Sequence, residues 1–348
     1  MDSTHIIIVV TIILVVVFDF TNGFHDASNM IASAIASRAI SPVRSVIIVA
    51  VFSFLGPLLG GTAVANTIGK FIDISDLETI KSLAVILSGL IGVIFWNLAT
   101  WFFGMPSSSS HALMGGLAGA VIASAGADHV LWGFHEFITK GELKGVTKVL
   151  LALILSPVIG LLMGFIIQKI ISFLLRSAKQ KINKPIKWSQ YFTVAWLAFS
   201  HGANDAQKSM GILTLVLVLG GIIPTFQVPL WVMLACSIGM TIGVLLGGWK
   251  IVKTLGFAIY KIRPIHALNS QLTSAFVIFT ASLIGAPVST THVVAASIMG
   301  VGSADHLRRV KWKKAKSIIY TWLFTIPGSA IVAVIIYSLF NLFLPFIK

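Results

Sequence analysis

This sequence has little charge, and acid is the scarcer sign. Only 10% of its 348 residues are charged, against about 25% in soluble domains, and 11 Asp and Glu stand against 25 Lys and Arg. So little charge, with 57% of residues hydrophobic, argues against an ordinary soluble domain. Apolar runs of about 20 residues recur along the whole length, long enough to span ~30 Å of hydrocarbon. The single cysteine, Cys236, excludes an internal disulfide and a cysteine metal site. There is no Gly-x-x-x-x-Gly-Lys-Ser/Thr loop, so nucleotide hydrolysis by the chain itself is not expected. A net charge of +14 would suggest nucleic acid in a soluble protein. Here the basic residues cluster in short loops, so they report topology, and no nucleic-acid partner is expected. The N-terminal apolar run lacks a basic leader and passes straight into the polar Thr21–Asn29 stretch, so it does not read as a cleavable signal.

What is present is an all-α polytopic membrane protein that repeats itself. Five segments, A1 to E1, run His5–Ile40, Val43–Val64, Ser82–Phe103, Ala112–Ala125 and Val146–Leu175. A2, B2 and C2 follow at Tyr191–Ile223, Leu230–Trp249 and Leu268–Gly285; D2 runs to Gly302 and E2 spans Ile318–Leu344. Phe20, Gly23, Asp26 and Ala27 align on Phe199, Gly202, Asp205 and Ala206 at an offset of 179. The turns Gly104–His111 and Gly285–His292 match at 181, and Pro42 with Leu58-Leu59-Gly60-Gly61 matches Pro229 with Leu245-Leu246-Gly247-Gly248 at 187. Three blocks in one order at near-constant offset point to duplicated halves. The expected division is residues 1–175 for the first repeat, 176–190 for a basic cytoplasmic linker and 191–348 for the second repeat.

Loop charge orients the halves. Arg176–Lys187, Lys250–Arg263 and Arg308–Lys316, with Arg38 and Arg44, hold most of the Lys and Arg and are placed in the cytoplasm. The acids from Asp73 to Glu78 and from Asp128 to Glu142 lie on the remaining long connections, placed outside. Counting crossings then gives two inverted-topology repeats with both termini outside, in the cell membrane. Each C–D pair enters as two spans or as one re-entrant hairpin, for about 10–12 membrane segments in all.

Polar residues interrupt both A segments. Phe199–Met210 puts His201, Asn204, Asp205, Gln207 and Lys208 where a membrane helix should carry Leu and Val. A charge near the bilayer centre costs roughly 2.5–3.5 kcal/mol on insertion scales, so such residues are functional candidates. Gly23 and Gly202 are expected to break these helices around a cavity, with close helix packing as the alternative. Asp26 and Asp205, with Asn22, Asn29, Asn204 and Gln207, form a hard-ligand set suited to a small cation or a proton. After Pro106 and Pro287, Ser108, Ser109, Ser110, Ser289, Thr290 and Thr291 open helices whose N-termini attract anions. Two such ends facing each other, with Gly23 and Gly202 at the breaks, would ligate an oxyanion while cations on the acids offset its repulsion. Each ion then improves the site for the other, which is the logic of a symporter. His25, His111, His201 and His292 fit either proton carriers or neutral hydrogen-bonding residues. Lys208 fits either an anion contact or a counter-charge to Asp205, and Asp19 either a packing acid or a ligand.

Together these residues suggest a family. Gly202-Ala203-Asn204-Asp205-Ala206, with Gly23-Phe24-His25-Asp26 as its mate, resembles the paired signature of the inorganic phosphate transporter (PiT) family, and the Gly-x-Pro-x-Ser-Thr/Ser-Thr/Ser-His turns are similar to that family's. The resemblance covers nearly the whole chain. It implies a phosphate symporter, not an enzyme, driven by sodium or protons, a homodimeric arrangement, and Asp26 and Asp205 as the essential acids. Sodium is favoured because each acid has amide and hydroxyl neighbours; no cofactor beyond the transported Na+ or H+ is expected. The chain departs from the pattern in its Gly-Phe-His-Asp, a form similar to bacterial members, in having no long hydrophilic insertion, and in Asn66, where some relatives carry an acid. Competing readings are a symporter of sulfate or another oxyanion, a receptor or scaffold, and an intramembrane hydrolase using Ser107–Ser110 with His111. The last is disfavoured because adjacent helical residues point about 100° apart.

Overall fold

A computed structural model describes residues 3–343, and every regular element among them is helical. The expected end of E2 at Leu344, and both chain ends, lie outside the described residues. The first half contains α1 (Ser3–Ala36), α2 (Pro42–Leu59), α3 (Ala63–Gly69), α4 (Thr79–Phe102), α5 (Ser109–Ala125), α6 (Phe134–Lys140) and α7 (Gly145–Leu174). The second contains α8 (Asn183–Leu219), α9 (Leu230–Leu246), α10 (Trp249–Lys253), α11 (Pro264–Leu283), α12 (Thr290–His306) and α13 (Trp312–Phe343). Five of these are long and apolar enough to cross a membrane alone, and the bent pair of α9 with α10 and the following π-turn makes a sixth candidate.

The helix breaks fall in the B segments and not in the A segments. α1 and α8 run unbroken through Gly23 and Gly202 for 34 and 37 residues. The expected interruptions at Thr21–His25 and His201–Asp205 are therefore corrected. At both glycines a neighbouring backbone leaves no room for a side chain: a Cβ on Gly23 would lie 2.1 Å from the Met240 carbonyl oxygen, and one on Gly202 would lie 2.6 Å from that of Ser53. These glycines let α1 approach α9 and α8 approach α2. The real breaks sit at the duplicated Leu-Leu-Gly-Gly blocks. Gly61 and Gly248 take the left-handed conformation, at φ +80° and +86°, which costs glycine little. The second break bends the axis by 58°.

A broken helix leaves backbone groups without partners. At the first break they are met by one side chain: Val64 N donates to Gln207 Oε1 at 2.8 Å, and Gln207 Nε2 donates to the Gly60 carbonyl at 3.3 Å.

Packing exchanges the halves. α1 lies along α9 and α2 along α8, while α1 and α8 also touch each other. In the same way α7 packs on α11 and α12, and α13 packs on α4 and α5. α7 and α13 turn much large apolar surface outward, including Ile154, Leu162, Phe173, Leu323, Phe324 and Ile331. α1 and α8 do the opposite: they carry a fully enclosed polar band from Asp19 to Asn29 and from Ser200 to Ser209.

Candidate functional site

The turns after α4 and α11 build two matching helix starts. Gly104 and Gly285 reverse the chain at φ +64° and +65°. Three residues before each new helix, Pro106 and Pro287 lie in the lead-in and not at a first helical position. The caps are Ser108 and Ser289, whose hydroxyl oxygens accept from His111 N at 3.2 Å and His292 N at 3.3 Å. Serine caps because it satisfies a backbone N–H that the first turn leaves free. The two starts meet: the His111 and His292 rings are 4.5 Å apart, and the Ser110 hydroxyl donates to the Val288 carbonyl at 3.1 Å.

Against these starts stand the acids of α1 and α8, both fully buried. Thr290 Oγ1 is 3.0 Å from Asp205 Oδ2 and 3.5 Å from Asp26 Oδ2, so one hydroxyl bridges the carboxylates of both halves. Thr291 Oγ1 lies 3.2 Å from Asp26 Oδ1, and Ser109 Oγ lies 3.4 Å from Asp26 Oδ2. His201 Nε2 sits between the acids, 3.4 Å from Asp205 and 3.8 Å from Asp26. Asp26, His201 and Asp205 can turn one ligand atom each to within 4.8 Å of one another, close enough to share an ion. His25 Nδ1 is 2.6 Å from Asp26 Oδ1. Lys208 Nζ donates to Asp205 Oδ1 at 2.5 Å, to Ser110 Oγ at 2.5 Å and to the Val288 carbonyl at 3.1 Å.

The structure thus brings together Asp26, Asp205, Asn29, Ser109, Ser110, Thr290 and Thr291. Asn29 Nδ2 donates to Thr291 Oγ1 at 2.9 Å and keeps its own oxygen free of partners. Asn22, four residues before Asp26 and fully buried, has neither amide end hydrogen-bonded. Asn204 turns away to the Ser282 hydroxyl and the Ala286 carbonyl. Gln207 is not with the carboxylates: its amide closes the break between α2 and α3. Gly23 and Gly202 face α9 and α2 rather than the hydroxyls. The sequence singled out Ser107 only as part of the run Ser107–Ser110, and did not single out Thr100 or Ser282. Thr100 and Ser107, 2.7 Å apart, sit 3.5 and 3.3 Å from His25 Nε2. Ser282 holds Asn204 on the other side. Their signal was the repeat itself, since His25 and Asn204 occupy equivalent positions. The hydrolase arrangement finds no support: Ser110 is bonded to Lys208 and Val288, while the His111 ring packs on His292.

Comparison with known proteins agrees with this architecture. A transporter of Bacillus subtilis (strain 168), described as "Probable low-affinity inorganic phosphate transporter", is 41% identical over 98% of this chain and 99% of its own length. A protein of Rhizobium meliloti (strain 1021) with the same description is 37% identical, covering 92% of each chain. A solved structure described as "The sodium-dependent phosphate transporter" superposes with a TM-score of 0.85 at 25% identity, over 97% of this chain and 99% of that one. Residues 22–333 match the family described as "Phosphate transporter family". On this match, the chain belongs to the phosphate transporter family.

Proposed function

We propose that the chain imports inorganic phosphate through the cell membrane, coupled to a cation gradient, with sodium favoured. The relatives' descriptions support the substrate, and one observation carries the coupling: the hydroxyls of Ser109, Thr290 and Thr291 donate to the carboxylates of Asp26 and Asp205. A hydroxyl has one proton to donate. While it serves a carboxylate it cannot serve a phosphate oxygen. A cation at the carboxylates takes over as their partner and releases the hydroxyls, together with the N–H groups of α5 and α12, to phosphate. Phosphate in turn strengthens cation binding by the same factor, because coupling between two sites is reciprocal.

The residues assigned to phosphate are Ser108, Ser109, Ser110, Ser289, Thr290 and Thr291. Those assigned to the cation are Asp26, Asp205, Asn22 and Asn29. The halves, residues 1–175 and 191–348 around a basic cytoplasmic linker, are read as inverted repeats with both termini outside. The reciprocal packing of α1 on α9 and of α8 on α2 supports that reading. The exposed apolar faces of α7 and α13 leave room for a second copy in a homodimer.

The test is phosphate uptake into proteoliposomes, with sodium and pH varied separately. Asp26→Asn and Asp205→Asn are each expected to abolish cation-dependent uptake while the protein still inserts; full-rate uptake by both removes the cation role. Proton coupling is the second reading, favoured by the 2.6 Å contact of His25 with Asp26. Uptake that follows pH and ignores sodium would select it. Competition by sulfate separates phosphate from the other oxyanions.

A further inference from the structure

Among the buried residues of α1 and α8 the twofold relation between the halves breaks at two charged positions, Asp19, which aligns with Ala198, and Lys208. The offset of 179 that aligns Asp26 with Asp205 also aligns Asn29 with Lys208. The two residues do the same thing in space. Asn29 reaches Thr291 on the second helix start, and Lys208 reaches Ser110 on the first. Thr291 and Ser110 are themselves equivalent at the offset of 181. One half thus presents a neutral amide where the other presents a cation.

We propose that Lys208 is a tethered cation standing where a second coupling ion would otherwise bind, so that the one exchangeable cation site lies at Asp26. This rests on the cation-coupled reading above. An ammonium has three protons, and Lys208 places all three, on Asp205, Ser110 and Val288. The side chain is 1% exposed. Asp205 therefore already holds a fully coordinated counter-charge. Asp26 has no Lys or Arg ion pair among the described residues; its partners are two imidazoles and three hydroxyls. On the same helix, four residues before and three after it, Asn22 and Asn29 hold buried side-chain oxygens with no hydrogen-bond partner. Residues at these spacings share one helix face. A carboxylate with two free amide oxygens is a ligand set for a small hard cation.

The experiment compares wild type, Lys208→Asn and Lys208→Arg in proteoliposomes. It reads the order of phosphate uptake in the coupling cation and the charge moved per phosphate. Wild type is expected to be first order. Lys208→Asn recreates the Asn29 arrangement and is expected to become second order, moving one more positive charge per phosphate. Lys208→Arg keeps the fixed charge and stays first order. Should Lys208→Asn not transport, the cations taken up by the folded, solubilised protein on phosphate binding decide the matter, read as radioactive sodium by dialysis or as protons in a weakly buffered medium. Two cations per chain in the variant against one in wild type sustain the proposal. An unchanged number, or a second-order wild type, overturns it. A wild type whose uptake ignores both sodium and pH would instead overturn the parent reading.

Discussion

Replacing Gln207 by Leu separates two roles that the sequence alone could not. Read from its neighbours, Gln207 looks like a cation ligand; in the structure it closes the gap between α2 and α3 through Val64 N and the Gly60 carbonyl. Leucine keeps much of the volume and removes both hydrogen bonds, leaving one backbone donor and one acceptor buried. Each orphaned group costs about 1–3 kcal/mol, so the two together cost about 2–6 kcal/mol. The lower end applies more closely in a membrane, where hydrogen-bond coupling averages ~0.6 kcal/mol because the unfolded chain also finds partners. Cys236, the single cysteine and fully buried, supplies the assay. A thiol-reactive fluorophore reports unfolding as detergent-solubilised protein is heated. Gln207→Leu is expected to unfold earlier than wild type while the folded fraction keeps its cation affinity. A variant with wild-type stability and weakened cation binding would refute this account of the break and return Gln207 to the ion.

Gly23→Ala and Gly202→Ala are expected to destabilise the protein in the same thiol assay. Their Cβ atoms would press on the backbones of Met240 and Ser53, and overpacking of about 1–3 kcal/mol outweighs a helix-propensity gain of ~0.5–1 kcal/mol; a rise in stability would point to hinges instead of contacts. Ser108→Ala and Ser289→Ala each remove a helix cap and are expected to cost ~1 kcal/mol, which thermal unfolding of the two variants would register. Tyr260, in the loop before α11, donates to Asp305 at 2.8 Å. Burial first, then this bond, pushes its phenol up to about 12 from 10.0. The neutral phenol therefore stabilises the fold fully below the unfolded value, and that contribution is lost as pH rises from 10 towards 12. Wild type should lose more stability than Tyr260→Phe across that window, and parallel pH profiles would count against the contact.

The fold was legible wherever periodicity and duplication spoke together. The long apolar helices and the two hydroxyl-bearing helix starts follow from runs of hydrophobic residues and matched blocks. The breaks were misplaced for a physical reason. A polar run with glycine inside a membrane segment suggests an unwound helix, but a helix keeps its own backbone bonded whatever its side chains are. What ends a helix is a residue that must leave the helical conformation, and Gly61 and Gly248 do so. The Leu-Leu-Gly-Gly blocks carried that information. They entered only as evidence of repetition, because double glycine in an apolar segment equally suits close packing.

The chemistry of the site was legible in type and not in partnership. Asp26 and Asp205 were singled out because charge is expensive in hydrocarbon, and Thr290 and Thr291 because they open a helix whose N-terminus attracts anions. Nothing in one dimension says which hydroxyl meets which acid. The structure answers with a shared set: Thr290 and Thr291, which start the second-half helix, reach the first-half acid beside Ser109 of its own half, Thr290 also serves Asp205, and Ser110 of the first half accepts from Lys208 of the second. This sharing across the halves makes the duplication matter to function. An acid paired with hydroxyls of its own half could titrate or bind an ion without disturbing the other half. With partners shared across the halves, any cation that relieves Asp26 of its hydroxyls also frees the start of α12, and Thr290 carries the same change to Asp205. Coupling between ion and anion therefore needs no long pathway here, because Thr290 alone is shared by both acids and by one of the two helix ends proposed to receive phosphate.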